Sequence, residues 1–307
     1  MKQDWTSADI PDLSRKIIVI TGSNSGIGFQ TALEFARKNA FVWLACRNEE
    51  KANVALARIR EQVPNAKVKY AHLDLADLST IKPLVDLVKK DSGRIDILIN
   101  NAGFFPDEKR LETKDGFENT MGANHLGHFA LTAAMLSLLK KSDFPRVVNV
   151  ASDAHKSGKL NFDDFDMIKS YSALTAYSNS KLANLLFSFE LQKRADEAGW
   201  KLIVTSAHPG FAMTGLTGGD RTTMVKKFFG FLAQVFAQSD VQGAWPTEYA
   251  AISDDVVPNG YYGPNGRFEM SGNPKQVNPA KSALNEDSAM KIWELSEEKT
   301  KTKFQFK

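Results

Sequence analysis

The residues best suited by type and spacing to acid–base chemistry are Tyr177 and Lys181. They lie four positions apart in a segment with a helical pattern, so both side chains project from one face of the predicted helix. A phenol has a pKa of about 10 and exchanges protons poorly at neutral pH, but a neighbouring ammonium group lowers that pKa. A Tyr-x-x-x-Lys pair alone is equally typical of an ordinary helix surface. The acid–base interpretation is favoured by Ser152, which lies just beyond the apolar run at residues 147–150, where a buried strand would end.

A glycine-rich stretch after the first apolar run, residues 17–20, could hold phosphate groups. Its glycines let the chain turn sharply, bring backbone N–H groups close to a pyrophosphate and pack the next helix against the sheet. That helix would direct the positive end of its dipole at the phosphates. A plain strand–helix turn would use the same glycines, whereas a nucleoside-triphosphate loop would continue with Gly-Lys-Ser or Gly-Lys-Thr. The stretch predicts a dinucleotide site formed by Gly22, Ser23, Asn24, Ser25, Gly26, Ile27 and Gly28.

Arg47 is the residue that would select between NAD and NADP, since it lies nineteen positions after Gly28 at the end of the second apolar run. An acidic residue at this place favours NAD, whereas an arginine accommodates the 2′-phosphate of NADP. A guanidinium can pair with a phosphate through two hydrogen bonds, and Asn48 could assist. A solvated loop arginine is the alternative interpretation. We predict that the cofactor is NADP(H) rather than NAD(H).

The elements that must position these residues follow from an alternation of short apolar runs with helical patterns. The apolar runs are rich in Val and Ile and lack polar alternation, as expected of parallel strands buried on both faces. This alternation predicts an α/β fold: a Rossmann-type, doubly wound parallel sheet in three layers, with helices on both faces. Strands are predicted at residues 17–20, 41–45, 68–73, 95–99, 147–150 and 202–206, and helices at 27–39, 49–62, 79–91, 115–140, 177–198 and 288–298.

The length of 307 residues suggests two domains at about 150 residues each, but no linker or internal repeat divides the chain. We therefore predict a single domain over residues 1–307, with a cofactor-binding and catalytic core at about 14–214. An apolar substrate lid is expected at about 211–240 and a C-terminal extension at about 259–307. Turn residues dominate 259–279, and the basic tail at 299–307 is expected to fray as a solvated end.

Composition excludes several classes of protein. With 43% hydrophobic and 24% charged residues the chain is neither disordered, collagen-like nor coiled-coil. Its net charge of +3 is too small to indicate nucleic acid or anionic lipid as a partner. The single cysteine, Cys46, cannot form an internal disulfide, which indicates a reducing compartment. Because no signal peptide and no apolar run of about 18 residues is recognisable, we expect a cytoplasmic protein without a membrane span.

Taken together and in order, these motifs resemble the short-chain dehydrogenase/reductase family. The resemblance is close over about residues 14–214 and loose elsewhere. Each motif is weak by itself, whereas the set is specific. Besides the glycine loop, Ser152, Tyr177 and Lys181, it is carried by Asn100-Asn101-Ala102-Gly103, Asn124, Pro209-Gly210, and Asp74 within His72-Leu73-Asp74-Leu75.

A finer resemblance points to the retinol dehydrogenase-like branch, which is also similar to protochlorophyllide reductases and to the oxidoreductase half of WW-domain oxidoreductases. The interval of 25 residues from Ser152 to Tyr177 is longer than the usual family spacing. Vertebrate retinol dehydrogenases usually carry a membrane anchor, and the opening and late segments look like unanchored bacterial members instead. The motifs that carry this are Leu44-Ala45-Cys46-Arg47-Asn48, Ala154-His155, Asn161-Phe162-Asp163-Asp164, Ser180-Lys181-Leu182-Ala183-Asn184 and Tyr261-Tyr262-Gly263-Pro264.

The family resemblance implies hydride transfer between a nicotinamide and a carbonyl or alcohol. Tyr177 would be the general acid or base, and Ser152 would hydrogen-bond the substrate oxygen. Lys181 would lower the Tyr177 pKa and hold the nicotinamide ribose, and Asn124 would complete a water-linked proton relay. Further cofactor contacts are implied for Asp74 and Leu75 near the adenine, Asn101, Ala102 and Gly103 on the adenosine side, and Pro209, Gly210 and Thr214 near the nicotinamide and pyrophosphate.

Substrate contacts are predicted for Phe104, Phe105, His155, Phe211 and Met213. An apolar stripe at helical spacing follows: Met224, Phe228, Phe231 and Val235. It would form either a core seal or a mobile lid over the nicotinamide, and a lid would favour a lipophilic carbonyl or alcohol as substrate.

No metal site is predicted, since hydride transfer needs none. His125 and His128 are expected to be packed or solvent-facing rather than metal ligands. The acidic group Asp163, Asp164 and Asp166 is expected to be a solvated loop.

The apolar face of the helix after Tyr177, formed by Leu182, Leu185, Leu186 and Phe189, suits either a subunit interface or a core helix, so a homo-oligomer stays possible. Two other functions also stay open. One is an NADPH-dependent reductase of an activated C=C bond, and the other is a dinucleotide-binding sensor or scaffold without catalysis.

Overall fold

A computed structural model of the chain describes residues 4–210 and 239–306. In these ranges eight strands form one sheet in the order β3-β2-β1-β4-β5-β6-β7-β8. All neighbours pair in parallel except β7 and β8, which are antiparallel. The strands are β1 (Ile17–Thr21), β2 (Phe41–Cys46), β3 (Lys67–His72), β4 (Ile97–Asn100), β5 (Arg146–Val150), β6 (Ile203–Ala207), β7 (Tyr261–Pro264) and β8 (Pro274–Gln276).

Helices cover both faces of this sheet, which confirms the predicted Rossmann-type architecture in three layers. Helices α1, α2 and α7 pack on one face and α3, α5 and α6 on the other, with α8 packed outside α6. The helices are α1 (Gly26–Arg37), α2 (Glu49–Gln62), α3 (Ile81–Ser92), α4 (Asn119–Met121), α5 (Gly127–Leu139), α6 (Ala173–Glu197), α7 (Asp240–Ile252) and α8 (Glu286–Thr300).

The central strands are apolar at successive positions because each of their faces meets a layer of helices. In β1, Ile18 and Ile20 join the core under α1, whereas Val19 joins the core under α3 and α5. The strand order reverses between β1 and β4, and their carboxyl ends therefore border a crevice where such sheets bind ligands. In the described ranges, no helix has the length and hydropathy needed to cross a bilayer.

The predicted secondary structure needs correction in one helix boundary, one missed helix and one segment predicted as turns. Helix α6 begins at Ala173 rather than at Tyr177, because the Ser172 side chain caps it one turn earlier by accepting the Thr175 N–H. Helix α7 was not predicted; Ser239 caps it and Pro246 lies within it. The segment 259–279, predicted as turns, contains β7 and β8 at the sheet edge, where proline in a strand is tolerated.

The tail does not fray as predicted. Phe304 packs against Phe129 and Trp293, with ring centroids 4.9 and 4.4 Å apart, and Phe306 stacks on Trp293. The prediction of a solvated tail rested on the lysines that flank Phe304 and Phe306 and overlooked the two aromatic residues.

The apolar face of α6 lies inside the chain, as the core-helix alternative required. Leu182, Leu185 and Leu186 are buried and share a hydrophobic cluster with Ala289 and Ile292 of α8.

Candidate active site

A cavity of about 500 Å³ opens at the carboxyl ends of the central strands. It brings together most of the described residues that the sequence nominated for the cofactor. Those that line it are Gly22, Asn24, Ser25, Gly26, Ile27, Gly28, Arg47, Asn48, Asp74, Leu75, Asn101, Ala102, Gly103, Tyr177, Lys181 and Pro209, together with Asn124 and Phe104.

The glycine loop is shaped by its close approach to the strand end beside it. Gly22 has a left-handed backbone (φ 64°), and a Cβ on Gly28 would lie 2.4 Å from the side-chain nitrogen of Asn101. Ser23 points away from the cavity and donates to the Ile20 carbonyl at 2.9 Å. Helix α1 begins at Gly26, so its N-terminus faces the cavity and favours a negatively charged group there.

Thr21, which the sequence reasoning did not single out, organises the neighbouring turn. Its hydroxyl accepts the N–H groups of Asn101 and Ala102, each at 2.9 Å. The Asn101 side chain donates in return to the Thr21 carbonyl at 2.7 Å. The position of Thr21 directly before Gly22 is a sequence signal that could have identified it.

Two exposed cations stand at one end of the cavity. Arg47 is one, and Lys51, which the sequence reasoning missed, is the other. Lys51 follows Arg47 by four positions and lies in the first turn of α2. Asn48 is committed to capping that helix, since its side chain accepts the Lys51 N–H at 2.8 Å. This end of the cavity can receive a dianionic group from solvent.

The other end of the cavity is buried and holds Tyr177 and Lys181. Burial lowers the pKa of Lys181 to about 8, and its ammonium donates to the Val150 carbonyl at 3.0 Å. Burial also raises the pKa of Tyr177, while a hydrogen bond with Ser152 lowers it, and the net direction is upward. This corrects the prediction that Lys181 holds the Tyr177 pKa down. The ammonium lies 5.7 Å from the phenol ring centroid, and loss of water around the hydroxyl dominates.

Asn124 lies in a π-helical turn, Gly122–Leu126, between α4 and α5. Its side-chain oxygen accepts the Phe104 N–H and its nitrogen donates to the Phe104 carbonyl, both at 3.1 Å. A Cβ on Gly103 would lie 3.2 Å from the Lys181 nitrogen and 3.4 Å from the Asn124 side-chain oxygen. Gly103 therefore lies against both residues, and a side chain at this position would displace the Lys181 ammonium by a few tenths of an ångström.

Of the predicted substrate residues, Phe104 lines the cavity and Phe105 packs on Tyr177 with ring centroids 5.2 Å apart. His155 does not face the cavity, which corrects its assignment. Its ring is buried, Nδ1 donates to the Ser152 carbonyl at 2.7 Å, and Nε2 accepts the Ala280 N–H at 3.0 Å. Both ring nitrogens are thus used within the protein.

Several predicted residues lie elsewhere. Gly210 (φ 66°) packs on Met270, since a Cβ there would lie 2.4 Å from the Met270 carbonyl oxygen. Outside the described residues lie Phe211, Met213, Thr214 and the apolar stripe of Met224, Phe228, Phe231 and Val235.

Beside Ser152, Asp153, His208 and Glu269 place ligand-type atoms within 4.8 Å of one another. The Lys156 ammonium lies among them, 2.7 Å from Asp153 and 3.5 Å from Glu269. The His208 ring, whose Nε2 lies 3.6 Å from the Glu269 carboxylate, is the main reason that the pKa of Glu269 falls to about 2. The group has the chemistry of an ion-pair cluster already supplied with a cation.

The acidic loop and the two central histidines can now be placed. Asp166 pairs with Lys299 at 2.5 Å and is largely buried, so the expectation of a fully solvated loop is wrong for it. Asp164 accepts the Ile168 N–H at 2.8 Å. His125 and His128 are buried, as the packed alternative required, and burial lowers their pKa values to about 4 and about 3.

A family model described as short chain dehydrogenase matches residues 16–224. The chain is 38% identical to retinol dehydrogenase 13 of Homo sapiens, covering 91% of this chain and 82% of that protein. It is 39% identical to the WW domain-containing oxidoreductase of Gallus gallus, covering 93% of this chain and 68% of that protein.

Two solved structures are similar to this chain. An uncharacterized protein from Mycobacterium paratuberculosis matches with a TM-score of 0.81 and 38% identity, over 98% of this chain and 99% of that one. A short chain dehydrogenase from Shigella flexneri, in complex with NADP, matches with a TM-score of 0.62 and 25% identity, over 82% of this chain and 95% of that one.

Proposed function

We propose a function on the premise that this chain belongs to the short-chain dehydrogenase family and is an oxidoreductase. The chain transfers hydride between NADP(H) and the carbonyl or alcohol of a lipophilic small molecule, with Tyr177 as the general acid or base. The observation that carries the proposal is one continuous cavity with two exposed cations, Arg47 and Lys51, at one end and the buried pair Tyr177 and Lys181 at the other.

The cavity residues fit a nicotinamide dinucleotide. The glycine loop and the N-terminus of α1 would hold the pyrophosphate, and the backbone at residues 101–103 would border the adenosine side. When bound, the cofactor supplies or accepts the hydride. Lys181, whose ammonium lies against Gly103, would hold the nicotinamide ribose.

The protein's own part in carbonyl reduction is the proton. Burial raises the Tyr177 pKa, so the phenol keeps its proton at neutral pH and can donate it to a substrate oxygen. Ser152 hydrogen-bonds Tyr177 and would donate to the same oxygen, which stabilises the charge that develops there. In alcohol oxidation each transfer runs in reverse, and Tyr177 accepts the proton.

NADP rather than NAD is proposed because a 2′-phosphate could accept two hydrogen bonds from the Arg47 guanidinium and form an ion pair with the Lys51 ammonium. Related structures in complex with NADP or NADPH support this choice.

A lipophilic substrate is proposed because Phe104 lines the cavity and Phe105 packs on Tyr177, and because similar proteins are named retinol dehydrogenases. A cytoplasmic location is part of the proposal and rests on the buried free thiol of Cys46.

The test is a turnover screen with NADPH and NADH across aldehydes, ketones and enones, with product analysis. Reduction of a lipophilic C=O with NADPH preferred is the expected result. Exclusive C=C reduction would replace the proposed substrate class. Tight NADPH binding without turnover of any carbonyl or alcohol would favour a nucleotide-binding sensor instead.

A further inference from the structure

We propose that His128, a buried residue of α5, is a positioning residue that holds the main chain of Asn124 by donating to its carbonyl, and that the Thr21 hydroxyl sets the tautomer able to donate. The inference rests on the proposed function, because Asn124 lines the cavity that the proposed function gives to the cofactor. His128 is 1% exposed, so its two ring nitrogens depend on protein groups for hydrogen bonds.

The Thr21 hydroxyl defines one side of the ring. It accepts the N–H groups of Asn101 and Ala102, which use both of its lone pairs, and lies 2.9 Å from Nε2 of His128. Its single proton is therefore directed to Nε2, since the other acceptor within reach, the Ile99 carbonyl, is farther away at 3.4 Å. Nε2 is an acceptor and carries no proton.

The other ring nitrogen must then carry the proton of the neutral ring. Nδ1 lies 3.0 Å from the Asn124 carbonyl oxygen, which can only accept, so Nδ1 donates. Burial lowers the pKa of His128 to about 3, outweighing its hydrogen bond to Asn124, and the nearby Lys181 ammonium acts in the same direction as burial. The neutral ring can accept on one side and donate on the other, which an imidazolium cannot do.

Asn124 needs such support because it lies in a π-helical turn, where the hydrogen-bond pairing of the helix is shifted. A second side chain, Asn184, also donates to its carbonyl, at 3.1 Å. The Asn124 amide in turn bonds both backbone groups of Phe104.

The turn at residues 101–102 is therefore connected by successive hydrogen bonds to Thr21, His128 and Asn124. Asn124 is hydrogen-bonded to Phe104, so the network surrounds Gly103.

A matched pair of variants separates the two contacts of the ring. In His128→Gln the amide oxygen falls near the position of Nε2 and can accept from Thr21, but no donor faces the Asn124 carbonyl. In His128→Asn the amide nitrogen falls near Nδ1 and can donate to Asn124. We expect His128→Gln to lower kcat about tenfold, the value of one lost hydrogen bond, with the KM for the carbonyl and the Kd for NADPH changed by less than about threefold. His128→Asn should recover most of that loss.

Equal kcat in the two variants at matched Tm would overturn the proposal, because a histidine that only fills space has no reason to prefer asparagine over glutamine. A second readout needs no turnover: ¹⁵N NMR of the histidine rings, with His128→Gln for assignment. We expect a neutral ring protonated at Nδ1 and unchanged between pH 5.5 and 8.5. An imidazolium or an Nε2-protonated ring would contradict the assignment. If wild-type protein binds NADPH but reduces no carbonyl, the proposed function fails, while the ring signature still decides the role of His128.

Discussion

The two ends of the cavity differ in whether their charged side chains are buried or exposed to solvent. At the end proposed for acid–base chemistry, Tyr177 and Lys181 are buried, and burial shifts the pKa of each in the direction that favours its neutral form. At the phosphate end, Arg47 and Lys51 are exposed. A buried charge interacts strongly but costs free energy to desolvate, whereas an exposed charge costs little and is screened by salt. We therefore expect changes at the buried end to alter the rate steeply, and changes at the exposed end to alter cofactor choice moderately.

The largest effect is expected from Tyr177→Phe, which removes the hydroxyl that exchanges the proton. kcat should fall by about 10³-fold or more, as for loss of a general acid. The Kd for NADPH, measured by fluorescence titration, should stay within a few-fold of wild type. A variant that retained a tenth of the wild-type kcat would remove Tyr177 from its role.

The next effect in size is expected from Arg47→Asp. Replacing a cation by an anion repels the 2′-phosphate and favours a ribose hydroxyl, so the ratio of kcat/KM for NADPH over NADH should fall by about 10²-fold. Rising ionic strength should weaken the wild-type preference, because the charge is exposed. Lys16→Asp, an equal charge change that is not at the cavity, serves as the control. An unchanged ratio in Arg47→Asp would refute the assignment.

Lys181→Met tests the cost of burial at the acid–base end. The folded-state pKa of Lys181, about 8, lies below its usual value of 10.5, so the buried ammonium destabilises the fold at neutral pH. The penalty is fully present below about pH 8 and disappears as pH rises toward 10.5, so wild-type stability should rise in that window. Lys181→Met should therefore lose turnover yet raise Tm at pH 7 by a few degrees, with the gain shrinking above pH 8. A lower Tm in the variant at pH 7 would show that the hydrogen bond to Val150 outweighs the desolvation cost.

The smallest effect is expected from Lys51→Ala. An exposed point charge supporting Arg47 should contribute only about three- to fivefold to the Kd for NADPH, without changing the Kd for NADH. Isothermal titration with both cofactors measures the difference. An equal loss for both would place Lys51 at the pyrophosphate rather than at the 2′-phosphate.

Sequence reasoning identified residues that line the cavity better than it identified the residues that support them. Tyr177, Lys181 and Arg47, which share that cavity, each belong to a short motif at a recognisable place along the chain. His155 was misassigned because proximity to Ser152 in sequence does not reveal which way a side chain turns. Its ring instead holds the Ser152 carbonyl and the Ala280 N–H, a partner 125 residues away. The aromatic tail was missed for the same reason, since its partners Phe129 and Trp293 are distant in sequence.

What the sequence determined by itself is the alternation of strands and helices, the glycine loop and the order of the candidate site residues, because these depend on local periodicity and short spacing. What only the tertiary structure decided is the environment of those residues. The direction of the Tyr177 pKa shift and the hydrogen bonds that join His128 to Thr21 and Asn124 to Phe104 follow from burial and from contacts between distant elements. Packing excludes water and thereby sets the strength of each electrostatic interaction and each hydrogen bond, and packing depends on the whole fold.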